Sequence, residues 1–156
     1  MPTATIDKPV ANLALVTTTK TLHLADFKGK NVVLYFYPKD NTPGCTMESK
    51  GFRDHHADFE RLNTVILGIS RDSLASHEKF KTKHCFPFEL VADTDGKVCE
   101  YFDVIKPTLF FGKKIQRLIR STFLIDSNGT LRQEWRNVKV LGHVEKVLKA
   151  VRELQK

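Results

Sequence analysis

The sequence predicts an α/β fold, a mixed central β-sheet flanked by helices on both faces, and three features carry that expectation. Two short apolar runs, Asn31–Tyr37 (NVVLYFY) and Thr64–Ser70 (TVILGIS), are rich in β-branched and aromatic residues and read as buried strands. A segment of helical period follows each, as a crossover between parallel strands requires. Later, Asn128-Gly129 separates two further strand-like runs, a hairpin signal that adds antiparallel pairing.

In chain order, Leu13–Leu24 contributes an irregular hairpin. Asn31–Tyr37 is the first buried strand; Pro38 stops it, and polar residues run to Gly44. Cys45–Leu62 reads as one helix, with Phe52, Phe59 and Leu62 on one face. After the strand Thr64–Ser70, Asp72 or Ser73 caps a helix running to about His84, with Leu74, His77 and Phe80 on one side. Phe88–Ala92 reads as a brief strand and Asp95-Gly96 as a turn. A helix presenting Val98, Cys99 and Phe102 follows. Ile105–Gln116, with Pro107 and Gly112, reads as a loop. Thr122–Ile125 and Thr130–Trp135 flank the hairpin turn. Val144, Val147, Leu148, Val151 and Leu154 define a closing amphipathic helix.

A chain of 156 residues favours one domain, here 1–156, and 41% hydrophobic residues suffice for a core. No apolar stretch approaches the roughly 20 residues of a membrane helix. Met1–Val16 lacks the basic start and continuous apolar run of a secretory signal. The expected setting is cytoplasmic, with no membrane partner. Three cysteines, Cys45, Cys85 and Cys99, are odd in number and widely spaced, which disfavours a disulfide framework. The net charge of +7 is spread, with short basic clusters at Lys79–Lys83 and Lys113–Arg120. No basic–aromatic motif stands out, so nucleic acid is not an expected partner. The six histidines are scattered or adjacent, and no His-x-x-x-His pair sits with a carboxylate, so neither a metal nor another cofactor is expected.

Cys45 lies where a buried strand, a polar loop and a helix start meet. Ligands of open α/β sheets bind beyond the carboxyl ends of strands. A sulfur in the first helical turn also feels the positive end of the helix dipole, which favours the nucleophilic thiolate. Position alone leaves open the reading of a small buried residue at a helix start. Pro38, Thr42 and Cys45 form the pattern Pro-x-x-x-Thr-x-x-Cys within YPKDNTPGCT. This resembles the signature loop of the peroxiredoxins. The longer string FYPKDNTPGCT, with LGISRDS (Leu67–Ser73), SHEKF (Ser76–Phe80) and RSTFLID (Arg120–Asp126), is similar to the bacterioferritin comigratory protein, or peroxiredoxin Q, branch.

The resemblance implies a thioredoxin-like fold and a thiol-dependent peroxidase that reduces hydrogen peroxide and organic hydroperoxides. It assigns Cys45 as nucleophile, Thr42 as a hydroxyl touching sulfur and peroxide, Pro38 as a shield of the pocket, and Arg120 as the fixed cation beside the thiolate. Arg117 is the nearest alternative to Arg120. Amides near Gly44 and Cys45 are expected to donate to a peroxide oxygen. Glu48, one turn after Cys45, is expected in a supporting position.

The resembled branch often carries a second, resolving cysteine five residues after the first or on the next helix. Those positions here are Lys50 and Lys81. Cys85, about one turn past Lys81, is the remaining candidate, against the reading of a helix-end cysteine packed on the core. Cys99 reads as a packing residue. The expected route is therefore one-cysteine, with thioredoxin, glutaredoxin or a small thiol reducing the Cys45 sulfenic acid. A two-cysteine route through Cys85 is the alternative. The rivals are a redox sensor that passes oxidation to partner proteins, and a thioredoxin-like binding domain with a relic site. A monomer or weak dimer is expected.

Overall fold

The structure, a computed structural model, describes residues 3–154. A five-stranded sheet of order β5-β4-β3-β8-β9 forms its centre. β3 (Asn31–Phe36), β4 (Thr64–Ser70) and β5 (Glu89–Ala92) are parallel; β8 (Ser121–Ile125) and β9 (Leu131–Arg136) add antiparallel strands. β1 (Ala14–Val16) and β2 (Thr21–His23) form the small N-terminal hairpin.

Residues of β3 alternate between two cores because side chains in a strand alternate faces. Val32, Leu34 and Phe36 join Val98, Cys99, Phe102 and Phe123 on one side. Val33, Tyr35 and Tyr37 join Cys45, Phe52, Phe59, Phe80 and Val147 on the other. Helices α1 (Pro43–Asp54), α2 (His56–Arg61), α3 (Leu74–His84) and α5 (His143–Leu154) supply the second core, and α4 (Lys97–Tyr101) the first. The sheet is thus mixed and covered on both faces, the thioredoxin-like arrangement. Gly68 stands in β4 because a Cβ there would meet the Tyr35 ring at 2.7 Å and Leu90 at 2.8 Å.

Several local expectations need correction. The segment read as one helix from Cys45 starts earlier, at Pro43, where proline fits the first turn. It breaks at His55, whose backbone (φ −99°, ψ 5°) leaves the helical region before α2. Leu74, expected on the buried side of α3, is 40% exposed, while His77 and Phe80 are buried. Ser73 caps α3 by accepting from the Ser76 amide.

The expected loop 105–116 is instead a two-stranded hairpin, β6 (Ile105–Phe110) with β7 (Lys113–Leu118), turning at Phe111-Gly112 with both φ positive. Its alternation was masked because both faces are exposed, so no apolar/polar period marks it. The β8–β9 turn also differs from the expected Asn-Gly geometry. Only Gly129 has positive φ, and the Asp126 side chain holds the turn by accepting from the Asn128 and Thr130 amides.

Candidate functional site

Antiparallel pairing of β8 with β3 builds the site. Ser121, the first residue of β8, pairs with Phe36, the last of β3. The chain therefore enters β8 at the same sheet edge where β3 runs out into the loop toward Cys45, and Arg120 stands at that entrance. The Arg120 guanidinium donates from Nη2 to Cys45 Sγ at 3.1 Å and from Nη1 to Glu48 Oε1 at 2.7 Å. Cys45 and Glu48 lie three residues apart on α1, so they share a helix face and one guanidinium spans both. Gly44 makes room for it: a Cβ there would sit 3.2 Å from Nη2.

Glu48 is fully buried, and its Oε2 has no hydrogen-bond partner. Burial pushes its carboxyl up to about 7 against the opposing pull of Arg120. Burial alone would weaken the Arg120 cation, but Glu48 and Cys45 outweigh it and the guanidinium pKa is raised. A buried carboxyl and a sulfur thus share one guanidinium.

Thr42 is the N-cap residue of α1. Its hydroxyl donates to Lys39 O at 2.8 Å. The single hydroxyl proton is committed there, so toward a peroxide Thr42 offers lone pairs rather than the dual contact expected. The first helix-type bond of α1 runs from Thr46 N to Thr42 O, leaving the Gly44 and Cys45 amides ahead of it. Pro38 lies just past β3 and is exposed. Arg117 is exposed on β7.

Cys85 is exposed, not packed on the core. It caps α3 in the left-handed conformation (φ 54°), with the Phe86 amide closing back onto Lys81 O. Next to it, burial and then Lys83, Lys50 and Arg53 lower the His84 pKa, so the surroundings are electropositive. Cys99 is buried, and burial with nearby Asp93 pushes its thiol up, which makes it inert. All three cysteines are free thiols.

Two buried groups near the site were not singled out in the sequence. The Asp40 carboxylate, in the loop before Cys45, accepts from Tyr37 Oη at 2.6 Å and Ser76 Oγ at 2.8 Å, and pairs with His77 Nδ1 at 2.7 Å. His77 Nε2 faces Val91 O at 2.8 Å. This network ties the loop to α3 and β5. The only sequence signal was a histidine on the apolar face of a helix. Asp40, Asp72 and His77 lie close enough to hold a cation, but hydrogen bonds already engage each of them. His143, at the start of α5, meets Thr122 Oγ1 at 2.8 Å. Burial, then Lys146 and Arg120, push it down to about 4.

Residues 6–134 match the model of the AhpC/TSA family. The chain is 51% identical over 135 residues to a peroxiredoxin Bcp of Bacillus subtilis, covering 86% of each. It is 43% identical over 152 residues to that of Xanthomonas campestris, covering 97% of this chain and 92% of the relative. Among solved structures, bacterioferritin comigratory protein of Xanthomonas campestris superposes with a TM-score of 0.92 at 41% identity, covering 98% and 99% of the two chains. A cysteine-to-serine variant of PrxQ from Xylella fastidiosa gives 0.93 at 37% identity over 100% of both.

Proposed function

This chain belongs to the AhpC/TSA family as a peroxiredoxin of the Bcp/PrxQ kind, a thiol-dependent peroxidase, and from that premise we propose that Cys45 is its peroxide-attacking sulfur. The observation that carries the assignment is the Arg120 guanidinium 3.1 Å from the Cys45 sulfur. The Cys45 thiolate attacks one peroxide oxygen; the O–O bond breaks; the sulfur becomes sulfenic acid; the other oxygen leaves as alkoxide or hydroxide and takes a proton. Arg120 favours the anionic sulfur and then the charge developing on the O–O bond. Thr42 accepts from the peroxide O–H, and the Gly44 and Cys45 amides donate to the departing oxygen. Hydrogen peroxide and organic hydroperoxides are both within this scheme; the Xanthomonas campestris relative is described for alkyl peroxide reduction.

Regeneration follows a one-cysteine route. An external thiol condenses with the sulfenic acid, releasing water, and a second thiol reduces the mixed disulfide. The lysines at positions 50 and 81 support this reading. Thioredoxin, glutaredoxin and a small thiol are the reductant classes. The exposed, electropositive setting of Cys85 favours a second reading, in which Cys85 resolves the sulfenic acid after α3 unwinds. We read 1–156 as one domain, cytoplasmic, and a monomer or weak dimer. Among the described residues no helix is long and apolar enough to cross a membrane.

The test is mass spectrometry after one equivalent of hydrogen peroxide with dimedone present. An adduct on Cys45 and no disulfide supports the one-cysteine route. A Cys45–Cys85 disulfide overturns it in favour of the second reading, and oxidation elsewhere overturns the site. Turnover with a general thiol reductant separates a peroxidase from a sensor, which consumes peroxide only stoichiometrically.

A further inference from the structure

The β6–β7 hairpin has no part in this chemistry, yet its tip breaks two rules of soluble surfaces. Leu109, Phe110 and Phe111 are 74%, 58% and 90% exposed, a contiguous apolar group at the end of a narrow two-stranded projection. Phe111 also holds φ at +50°, in a two-residue turn whose positions favour Asn, Asp or Gly. For a bulky residue that conformation is strained, and the exposed ring recovers none of the cost by packing into the core. Its edge contact is with Phe110, at 4.5 Å between ring centroids. A local rule broken without compensation inside the fold marks a functional position.

Charge surrounds this tip with one sign. Residues 105–118 contain Lys106, Lys113, Lys114 and Arg117 and no acidic residue. Phe110 pairs across the strands with Lys113, and Leu109 with Lys114, so two of the three apolar side chains at the tip stand opposite a cation. Lys113, Lys114 and Arg117 form no ion pair among the described residues; Lys106 is held by Asp103 at 3.0 Å.

We infer that this hairpin is a peripheral docking element for an anionic phospholipid surface, with Leu109, Phe110 and Phe111 entering the headgroup boundary and Lys113, Lys114 and Arg117 meeting the phosphates. Charge complementarity selects the occupant. A second copy of this chain carries +7 and the same cationic hairpin, which repels. A convex apolar wedge flanked by lysines suits a deformable interface, into which long cationic side chains extend toward the headgroups. Among the described residues no helix is long and apolar enough to cross a membrane, and a peripheral contact through a hairpin tip needs none. β7 ends at Leu118, two residues before Arg120, so the docked hairpin holds the peroxide site about 20 Å from the surface, the length of a six-residue strand.

The test is co-sedimentation of the reduced protein with vesicles of phosphatidylglycerol and phosphatidylcholine in equal parts, against phosphatidylcholine alone, at about 0.1 M salt. Binding is expected on the anionic vesicles, weakening as salt rises. Phe111→Asn suits the turn and keeps the fold; it should weaken binding about tenfold while hydrogen peroxide consumption and melting stay unchanged. Lys113→Gln and Lys114→Gln should each weaken it about fivefold. No vesicle binding overturns the inference, whether or not the hairpin binds polyglutamate as a mimic of an acidic protein. Binding unaffected by Phe111→Asn overturns it too, leaving only diffuse attraction. A dimer in sedimentation equilibrium that Phe111→Asn dissociates overturns it in favour of self-association.

Discussion

Gly44→Ala isolates the guanidinium–sulfur contact without touching either partner. An added Cβ would lie 3.2 Å from Arg120 Nη2, and 4.0 Å from Cζ and from Val140 Cγ2. Only the first contact is too close, and relieving it moves the guanidinium a few tenths of an ångström. The Glu48 bond at 2.7 Å anchors the other nitrogen, so the strain falls on the 3.1 Å contact to Cys45. A hydrogen bond to a charged group contributes about 1.5–3 kcal/mol, and losing a third to a half of it costs about 1 kcal/mol. In rate, that is about fivefold. Alanine replaces glycine inside α1, at a residue without positive φ, which stabilises by about 0.4–1 kcal/mol. The variant should therefore melt at the same temperature or a few degrees higher while reacting about fivefold more slowly. Competition with a haem peroxidase for hydrogen peroxide measures the rate, and circular dichroism the melting. In a cycle with Arg120→Met, adding Gly44→Ala should cost almost nothing further. A full-rate single variant, or a double variant slowed by the product of the two single effects, refutes the steric argument.

Cys45→Ser should abolish peroxide turnover, whereas Cys99→Ser should keep most of it because that thiol is buried and its pKa raised; equal loss in both would reverse the roles. Glu48 keeps its proton to about pH 7 when folded and to about 4.5 when unfolded. The folded state therefore binds more protons in that window, and Glu48 lowers stability as pH rises through it. Glu48→Gln should remove a slope of up to about 1.4 kcal/mol per pH unit, read from urea midpoints at each pH. His143 acts oppositely: its pKa is about 4 folded and 6.5 unfolded, so its contribution is lost as pH falls between them, and His143→Gln should flatten that acid limb. Gly68→Ala should destabilise by about 1–3 kcal/mol, since the Cβ would strike the Tyr35 ring and Leu90; a melting temperature equal to that of the parent chain would show that the sheet yields there.

Legibility followed burial. The strand Thr64–Ser70 was readable to the residue because all but one of its side chains is buried and its composition announces that. The β6–β7 hairpin was not readable: neither face is buried, and Pro107 and Gly112 look like loop residues when no period opposes them. The break at His55 was invisible because Phe52 and Phe59 keep the apolar spacing of one continuous helix across it. At the site, the motif gave Cys45, Thr42 and Arg120 by resemblance. It could not give the direction of the Thr42 proton or the depth of Glu48, since both depend on how the loop closes against the sheet.

That closure explains why Arg120 and Cys45 meet although 75 residues separate them. β8 is antiparallel to β3, so its first residue pairs with the last of β3. Were β8 parallel, its start would face Val32 instead of Phe36, and Arg120 would stand at the opposite sheet edge, about 13 Å away at 3.3 Å per residue. No arginine side chain on a rigid strand closes such a gap while also bonding a buried carboxylate. The reversal of β8 is therefore the topological condition for the site, whereas the β6–β7 hairpin leaves and returns to one place: Ile105 pairs with Leu118, and the Ile119 amide donates to Val104 O. Shortening this hairpin to Ile105–Leu118 joined by a two-residue Asn-Gly turn should leave the Arg120–Cys45 contact and hydrogen peroxide turnover intact, because the base is fixed by the Ile119 amide on Val104 O. A large loss of turnover in that folded variant would mean that the projecting tip itself positions Arg120.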